Sequence, residues 1–166
     1  MDVVIDSNVL FRTLISKGDV LDIIFNEKIR LFAPLKLKEE FLKHKKEMLL
    51  KSKLSEKEFN ILCSLILNKI TFVQLDEYKN SIPKAKELLG EHIKDLDFVA
   101  LCLSKGILFW TYEDLLFKIG IGISTKQVSL KLTKEFQKAQ GGIDMYNKEL
   151  KKAEQYLKEV EGKEKK

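Results

Sequence analysis

Residues 1–12 read MDVVIDSNVLFR. Val3, Val4 and Ile5 form a β-branched apolar run with neither face polar, the pattern of a strand buried in a parallel sheet. The run stops at Asp6, Ser7 and Asn8, after which Val9, Leu10, Phe11, Leu14 and Ile15 resume at helical spacing. In open α/β sheets, ligands bind where a strand's carboxyl end turns into the following helix, and Asp6 stands at that turn. Its carboxylate has two readings. It either caps the helix by accepting from free backbone N–H groups, or it awaits a cation, because a charge held over a buried sheet is costly without one. Ser7 and Asn8 are of the residue types that can supply the cap without it.

Strand and helix signals alternate downstream. A helix over Val9–Leu14 breaks at Lys17-Gly18-Asp19, and a second covers Val20–Asn26. A strand over Ile29–Ala33 is closed by Pro34, and a long helix spans Leu35–Lys53 on Leu37, Phe41, Met48 and Leu49. Ser55-Glu56-Lys57-Glu58 has the form of a capping box and opens a helix through Leu67. Thr71–Leu75 reads as a strand, and Glu77–Leu89 as a helix interrupted near Pro83 and ended by Gly90. After a polar connection over His92–Asp97, DFVALCLSKG is apolar on nearly every side, so it predicts a central helix stopped by Gly106. Ile107–Trp110 is a buried strand ending at Thr111, Glu113–Phe117 a short helix, and Ile119–Ile123 an edge strand.

This alternation predicts a three-layer α/β/α sandwich on a short parallel sheet. The expected domain is 1–130. Residues 131–166 form a charged helical extension, broken at Gly141-Gly142, with a thin stripe of Met145, Leu150, Leu157 and Val160. Glu149 with Lys152 and Glu154 with Lys158 support an exposed helix there, and 161–166 is expected to be disordered.

A chain of 166 residues, 45% hydrophobic and 33% charged, can bury a core without staples. No run approaches the ~20 apolar residues of a membrane span. With the first strand starting at residue 2, no signal peptide is expected. Cys63 and Cys102 lie in apolar helical surroundings and predict reduced thiols. A cytoplasmic protein is expected. Residues 1–130 hold 20 Lys and Arg against 18 Asp and Glu, and residues 131–166 hold 10 against 7. Within the first part, Lys36 to Lys57 is locally basic, with Lys36, Lys43, His44 and Lys46 among its members. Such a stripe suits a polyanion backbone, and equally a solvated helix face.

Carboxylates recur where strands give way to helices or where helices start: Asp6, Glu39-Glu40, Asp95 with Asp97, and Glu113-Asp114. Converging carboxylates repel one another, so they either bind protons or hold a cation. Oxygen ligands with few histidines suit Mg²⁺ or Mn²⁺, and a divalent ion on such a cluster serves in-line phosphoryl displacement. Taken singly, Asp95, Asp97, Glu113 and Asp114 are also good helix caps, and Glu39 and Glu40 are ordinary in a charged helix. His44 and His92 have no ligand spacing, and no P-loop, G-x-S-x-G or G-x-G-x-x-G pattern occurs.

In sequence order, V-V-I-D-S-N-V-L-F, A-P-x(4)-E-E-F, D-x-D-F-V-A-L-C-L and L-F-W-T-Y-E-D-L resemble a PIN domain over about residues 2–130. The likeness is to the archaeal and bacterial branch related to toxin–antitoxin ribonucleases. It implies a Mg²⁺- or Mn²⁺-dependent endoribonuclease cutting single-stranded or structured RNA by water attack, leaving a 5′-phosphate and a 3′-hydroxyl. By position, Asp6, Glu40 and Asp97 would be metal ligands, with Asn8, Thr111 and Asp95 in support. The family pattern places an aspartate two residues after the threonine. Here that position is Glu113, with Asp114 next, and either would complete the catalytic set. Lys36, Lys43, His44 and Lys46 would bind the RNA backbone. The competing expectation is a PIN-fold module with weakened catalysis that binds RNA or a protein. A toxin role would add an antitoxin-like partner. The tail is open to three readings: that contact, a homodimer contact, or an exposed helix.

Overall fold

The computed structural model describes residues 1–134, 140–145, 148 and 151–152. Its sheet contains β1 (Asp2–Ile5), β2 (Arg30–Pro34), β3 (Ile70–Val73), β4 (Leu108–Trp110) and β5 (Gly122–Ile123). All neighbours are parallel, and the order across the sheet is β3-β2-β1-β4-β5. Parallel strands need long return connections, and helices supply them here. α1 (Ser7–Ser16) and α2 (Asp19–Phe25) join β1 to β2, and α3 (Lys36–Ser52) and α4 (Glu56–Asn68) join β2 to β3. α5 (Leu75–Tyr78), a 3-10 turn, α6 (Ile82–Leu89), a second 3-10 turn (Ile93–Asp95) and α7 (Leu96–Lys105) lead to β4, and α8 (Asp114–Lys118) leads to β5. Sequence and structure thus agree on a parallel sheet flanked by helices.

The strand order reverses at β1. The chain steps from β1 to β2 to β3 on one side, then crosses to β4 and β5 on the other. Registers Val3↔Leu108, Val4↔Phe109 and Ile5↔Trp110 bring the carboxyl ends of β1 and β4 level. The crevice of this fold class therefore opens over Asp6 and Thr111.

β1 can be central because Val3, Val4 and Ile5 are fully buried and ask for cover on both faces. α7 supplies part of that cover, packing across β1, β2 and β4 with Phe98, Val99, Ala100, Leu101 and Cys102 all buried. Each large apolar side chain so buried stabilises the fold by about 1.5–3 kcal/mol. Phe98 stacks on Phe109 of β4 with ring centroids 5.4 Å apart. Gly106 ends α7 in a left-handed conformation (φ 64°), which fixes where β4 begins.

Several boundaries differ from the sequence reading. α1 starts at Ser7 rather than Val9, because Asp6 is its cap. Pro34 does not close β2 from outside. It is the strand's last residue, opposite Val73. β3 stops at Val73 because Gln74 is already the cap of α5, its N–H donating to Glu77 Oε1 at 3.4 Å. The last strand shrinks to two residues, and Gly122 is required there: a Cβ would lie 2.8–2.9 Å from the Phe117 ring and backbone nitrogen. The Ser55–Glu58 capping box forms in both directions, at 3.2 and 3.0 Å. Cys63 and Cys102 are free and buried.

Packing divides the chain into two compact units, Met1–Ser129 and Leu130–Lys166. In the second, residues 130–134 and 140–145 are helical, with Leu130, Ile143 and Met145 exposed. The expected stripe residues Leu150, Leu157 and Val160, the pairs Glu149–Lys152 and Glu154–Lys158, and the end at 161–166 lie outside the described residues. Among the described residues, no helix is long and apolar enough to cross a membrane.

Candidate active site

The site grows from the end of β1. Asp6 leaves the strand with its backbone N–H donating to the Trp110 carbonyl at 3.0 Å, which continues the ladder one step past Ile5. The side chain, 3% exposed, then serves two elements at once. Oδ1 accepts from the Asn8 backbone N–H at 3.1 Å, capping α1, and Oδ2 accepts from the Thr111 hydroxyl at 2.6 Å. Thr111 Oγ1 also accepts from the Glu113 backbone N–H at 3.1 Å. One fully buried hydroxyl thus ties the end of β1 to the turn that starts α8. The capping reading of Asp6 holds: its side chain caps α1 at the carboxyl end of β1.

Among the described residues, no ammonium or guanidinium acts on it. Burial pushes the Asp6 carboxyl up to about 6, the donors from Thr111 and Asn8 oppose that rise, and the charges of Asp95 and Glu113 add to it. Asp95 is raised as well, first by burial, with Lys94 and Lys36 opposing and Glu113 and Glu40 adding. Asp6, Glu40, Asp95 and Glu113 therefore form one electrostatic group around the crevice.

The bland reading of two of these acids does not hold. Asp95 and Glu113 occupy the N-cap positions of α7 and α8, yet neither side chain makes a capping hydrogen bond. Glu113 and Asp114, the first residue of α8, are both exposed, and of the two only the Glu113 charge acts on Asp6 and Asp95. Glu40 comes in from α3 and accepts a short hydrogen bond from the Ser7 hydroxyl, beside Asp6, while Glu39 is exposed. The family resemblance implies a supporting role for Asn8. Its side chain is exposed and its contribution is the backbone N–H, so the supporting side chain in this turn is Ser7, which sequence reasoning treated only as a cap.

Asp97 has different company. Oδ1 accepts from the Tyr78 hydroxyl at 3.2 Å, and Oδ2 lies 3.7 Å from Lys36 Nζ. Tyr78 is buried, and its hydroxyl is pushed up to about 12 by burial and by the Asp97 charge. Nothing in the sequence marked Tyr78, because the contact crosses from α5 to α7. Of the expected RNA-binding set, Lys43 and Lys46 are exposed on α3. His44 packs its ring against Phe11, centroids 5.5 Å apart, with Nδ1 3.5 Å from Glu47 Oε2. Lys36 turns inward, toward Asp97 and the Lys94 carbonyl. Arg12, which the sequence reading passed over, lies 5.1 Å over the Tyr112 ring at the rim of this turn.

The PIN domain family model matches residues 4–158. The chain belongs to the PIN domain family. The match reaches beyond residue 130, where the sequence resemblance stopped. No curated protein matches the chain. PIN domains are generally nucleases and generally use divalent metals, which bears on the acidic group at the β1–β4 edge. Among the described residues, no three His, Cys, Asp or Glu side chains stand close enough together to hold an ion as they are. The chemistry of the donors fits a hard divalent cation all the same. They are carboxylate oxygens, the charges of neighbouring acids act on Asp6 and Asp95, and Asp6 is held by two neutral donors.

Proposed function

We propose that this PIN domain is a Mg²⁺- or Mn²⁺-dependent ribonuclease that hydrolyses phosphodiester bonds of single-stranded or structured RNA. The observation that carries the reading is Asp6: a buried carboxylate at the switch point of the sheet, clamped by Thr111 and the Asn8 N–H, with Asp95 and Glu113 acting on it. Asp6, Glu40, Asp95 and Glu113 would hold the metal. When bound, a divalent ion lowers the pKa of water and offsets the charge of an in-line displacement at phosphorus.

The chain's own residues do the rest. Thr111 fixes the Asp6 carboxylate against rotation, and Ser7 holds Glu40 at the mouth of the crevice. Asp97 is assigned to positioning rather than to the metal, since the Lys36 ammonium beside it already offsets its charge. Lys43 and Lys46 present exposed ammonium groups to the RNA backbone, which gives a salt-dependent affinity with little regard for sequence. Trp110 is fully buried, with Nε1 donating to Thr125 at 3.0 Å, and stacks on no base.

The test is Mn²⁺ calorimetry beside cleavage of a labelled single-stranded RNA, on wild type and Asp6→Asn. Saturable binding and metal-dependent cleavage, both lost in the variant, establish the reading. Binding without cleavage favours the second reading, a PIN-fold module that binds RNA or a protein. The engagement of Glu40 by Ser7 and of Asp97 by Lys36 lends that reading its support. No Mn²⁺ binding overturns the metal-dependent enzyme.

A further inference from the structure

Lys36 is the first residue of a 17-residue helix. An ammonium is unwelcome there, because the helix dipole places positive potential at its N-terminus. The local helix therefore does not explain it. Its Nζ donates instead to the Lys94 carbonyl at 3.0 Å and lies 3.7 Å from Asp97 Oδ2, so one side chain spans from the start of α3 to the start of α7. These partners flank Asp95 on both sides in the chain, and the Lys36 charge acts on Asp95 as well. Glu40 follows one helical turn later on α3, so the two residues share a face of that helix. The side chain is about a third exposed, so it can leave without unpacking the core.

We propose that Lys36 is a resident counter-ion beside the acidic crevice, whose fixed positive charge lowers the affinity of the crevice for a divalent cation. The inference rests on the metal reading of the site and goes beyond it. A lysine read from sequence as a contact for RNA phosphates becomes the residue that sets how tightly the metal is held. Without metal, the tethered ammonium offsets part of the repulsion among Asp6, Glu40, Asp95, Asp97 and Glu113. A dication entering the crevice must overcome that positive charge or displace it, so Lys36 weakens metal binding while steadying the metal-free protein.

The experiment is Mn²⁺ calorimetry and metal-free thermal unfolding on wild type, Lys36→Met and Lys36→Arg. Lys36→Met should bind Mn²⁺ on the order of tenfold more tightly than wild type, and should unfold at a lower temperature without metal. Lys36→Arg keeps the charge and should keep wild-type affinity. Equal affinity in wild type and Lys36→Met makes Lys36 an ordinary surface lysine and overturns the inference. Weaker binding in Lys36→Met makes it a clamp on the Lys94–Asp97 turn and also overturns it. In both of those cases Mn²⁺ still binds, and the metal reading stands. Absence of binding in all three proteins overturns both the inference and the metal reading.

Discussion

Asp6 and Asp97 are both aspartates at or next to a helix start, and the fold treats them in opposite ways. Asp6 sits at the end of β1 and is held by a hydroxyl and a backbone N–H, neither of which carries charge. Asp97 sits in the first turn of α7 and has an ammonium 3.7 Å from one oxygen and a tyrosine hydroxyl on the other. The first is pushed up to about 6 by burial. The comparison teaches that the fold fixes one carboxylate with neutral donors alone and gives the other an ammonium partner.

The widest gap should open between neighbours. We expect Asp95→Asn to weaken Mn²⁺ binding by more than about 100-fold and Asp97→Asn by about 10- to 100-fold, the range of residues that act behind the ligands. Calorimetry on the two variants decides this, and equal losses would erase the distinction between the two acids.

The second effect is on stability against pH without metal. The folded pKa of Asp6 is raised, so its contribution is fully present below the unfolded value of 3.8 and is lost as pH rises through about 6. The loss should be on the order of 3 kcal/mol. Chemical denaturation in chelator from pH 4 to pH 7 should show it. Asp6→Asn should flatten that part of the profile, and saturating Mn²⁺ should restore the wild type at neutral pH.

A smaller effect is expected at Thr111→Val, which keeps the shape but leaves Asp6 Oδ2 without its donor. Stability should fall by about 1–3 kcal/mol, and the Asp6 titration should move upward. Denaturation and carboxyl-carbon NMR read the two consequences separately. The least effect belongs to Tyr78→Phe. Loss of its bond to Asp97 should cost about 1 kcal/mol and leave Mn²⁺ affinity unchanged. A Tyr78→Phe protein that binds no Mn²⁺ would return Asp97 to the metal.

Much of the architecture could be read from the chain, because its signals are local. The apolar run Val3–Ile5, the Ser55–Glu58 box, the stop at Gly106 and the all-round apolar helix after Asp97 each depend on neighbours a few residues away. Element ends were less legible where a residue serves two purposes, as Asp6 does in capping α1 and Gln74 in capping α5. The acidic positions were also visible, since Asp, Glu and Thr at strand ends and helix starts stand out in an otherwise apolar pattern.

What the chain alone did not sort was which of these acids meet. Asp95 and Asp97 differ by two places, and Glu113 and Asp114 by one, so spacing cannot separate them. The choice depends on contacts that cross the sequence: Thr111 to Asp6, Ser7 to Glu40, Tyr78 and Lys36 to Asp97. Those contacts exist only once the strand order reverses at β1 and brings β4 alongside it. Local propensity determined the strands, the helices and the presence of acids at their junctions. The tertiary structure decided which carboxylates share a crevice and which one keeps a lysine, because electrostatic coupling falls off with distance through space and takes no account of distance along the chain.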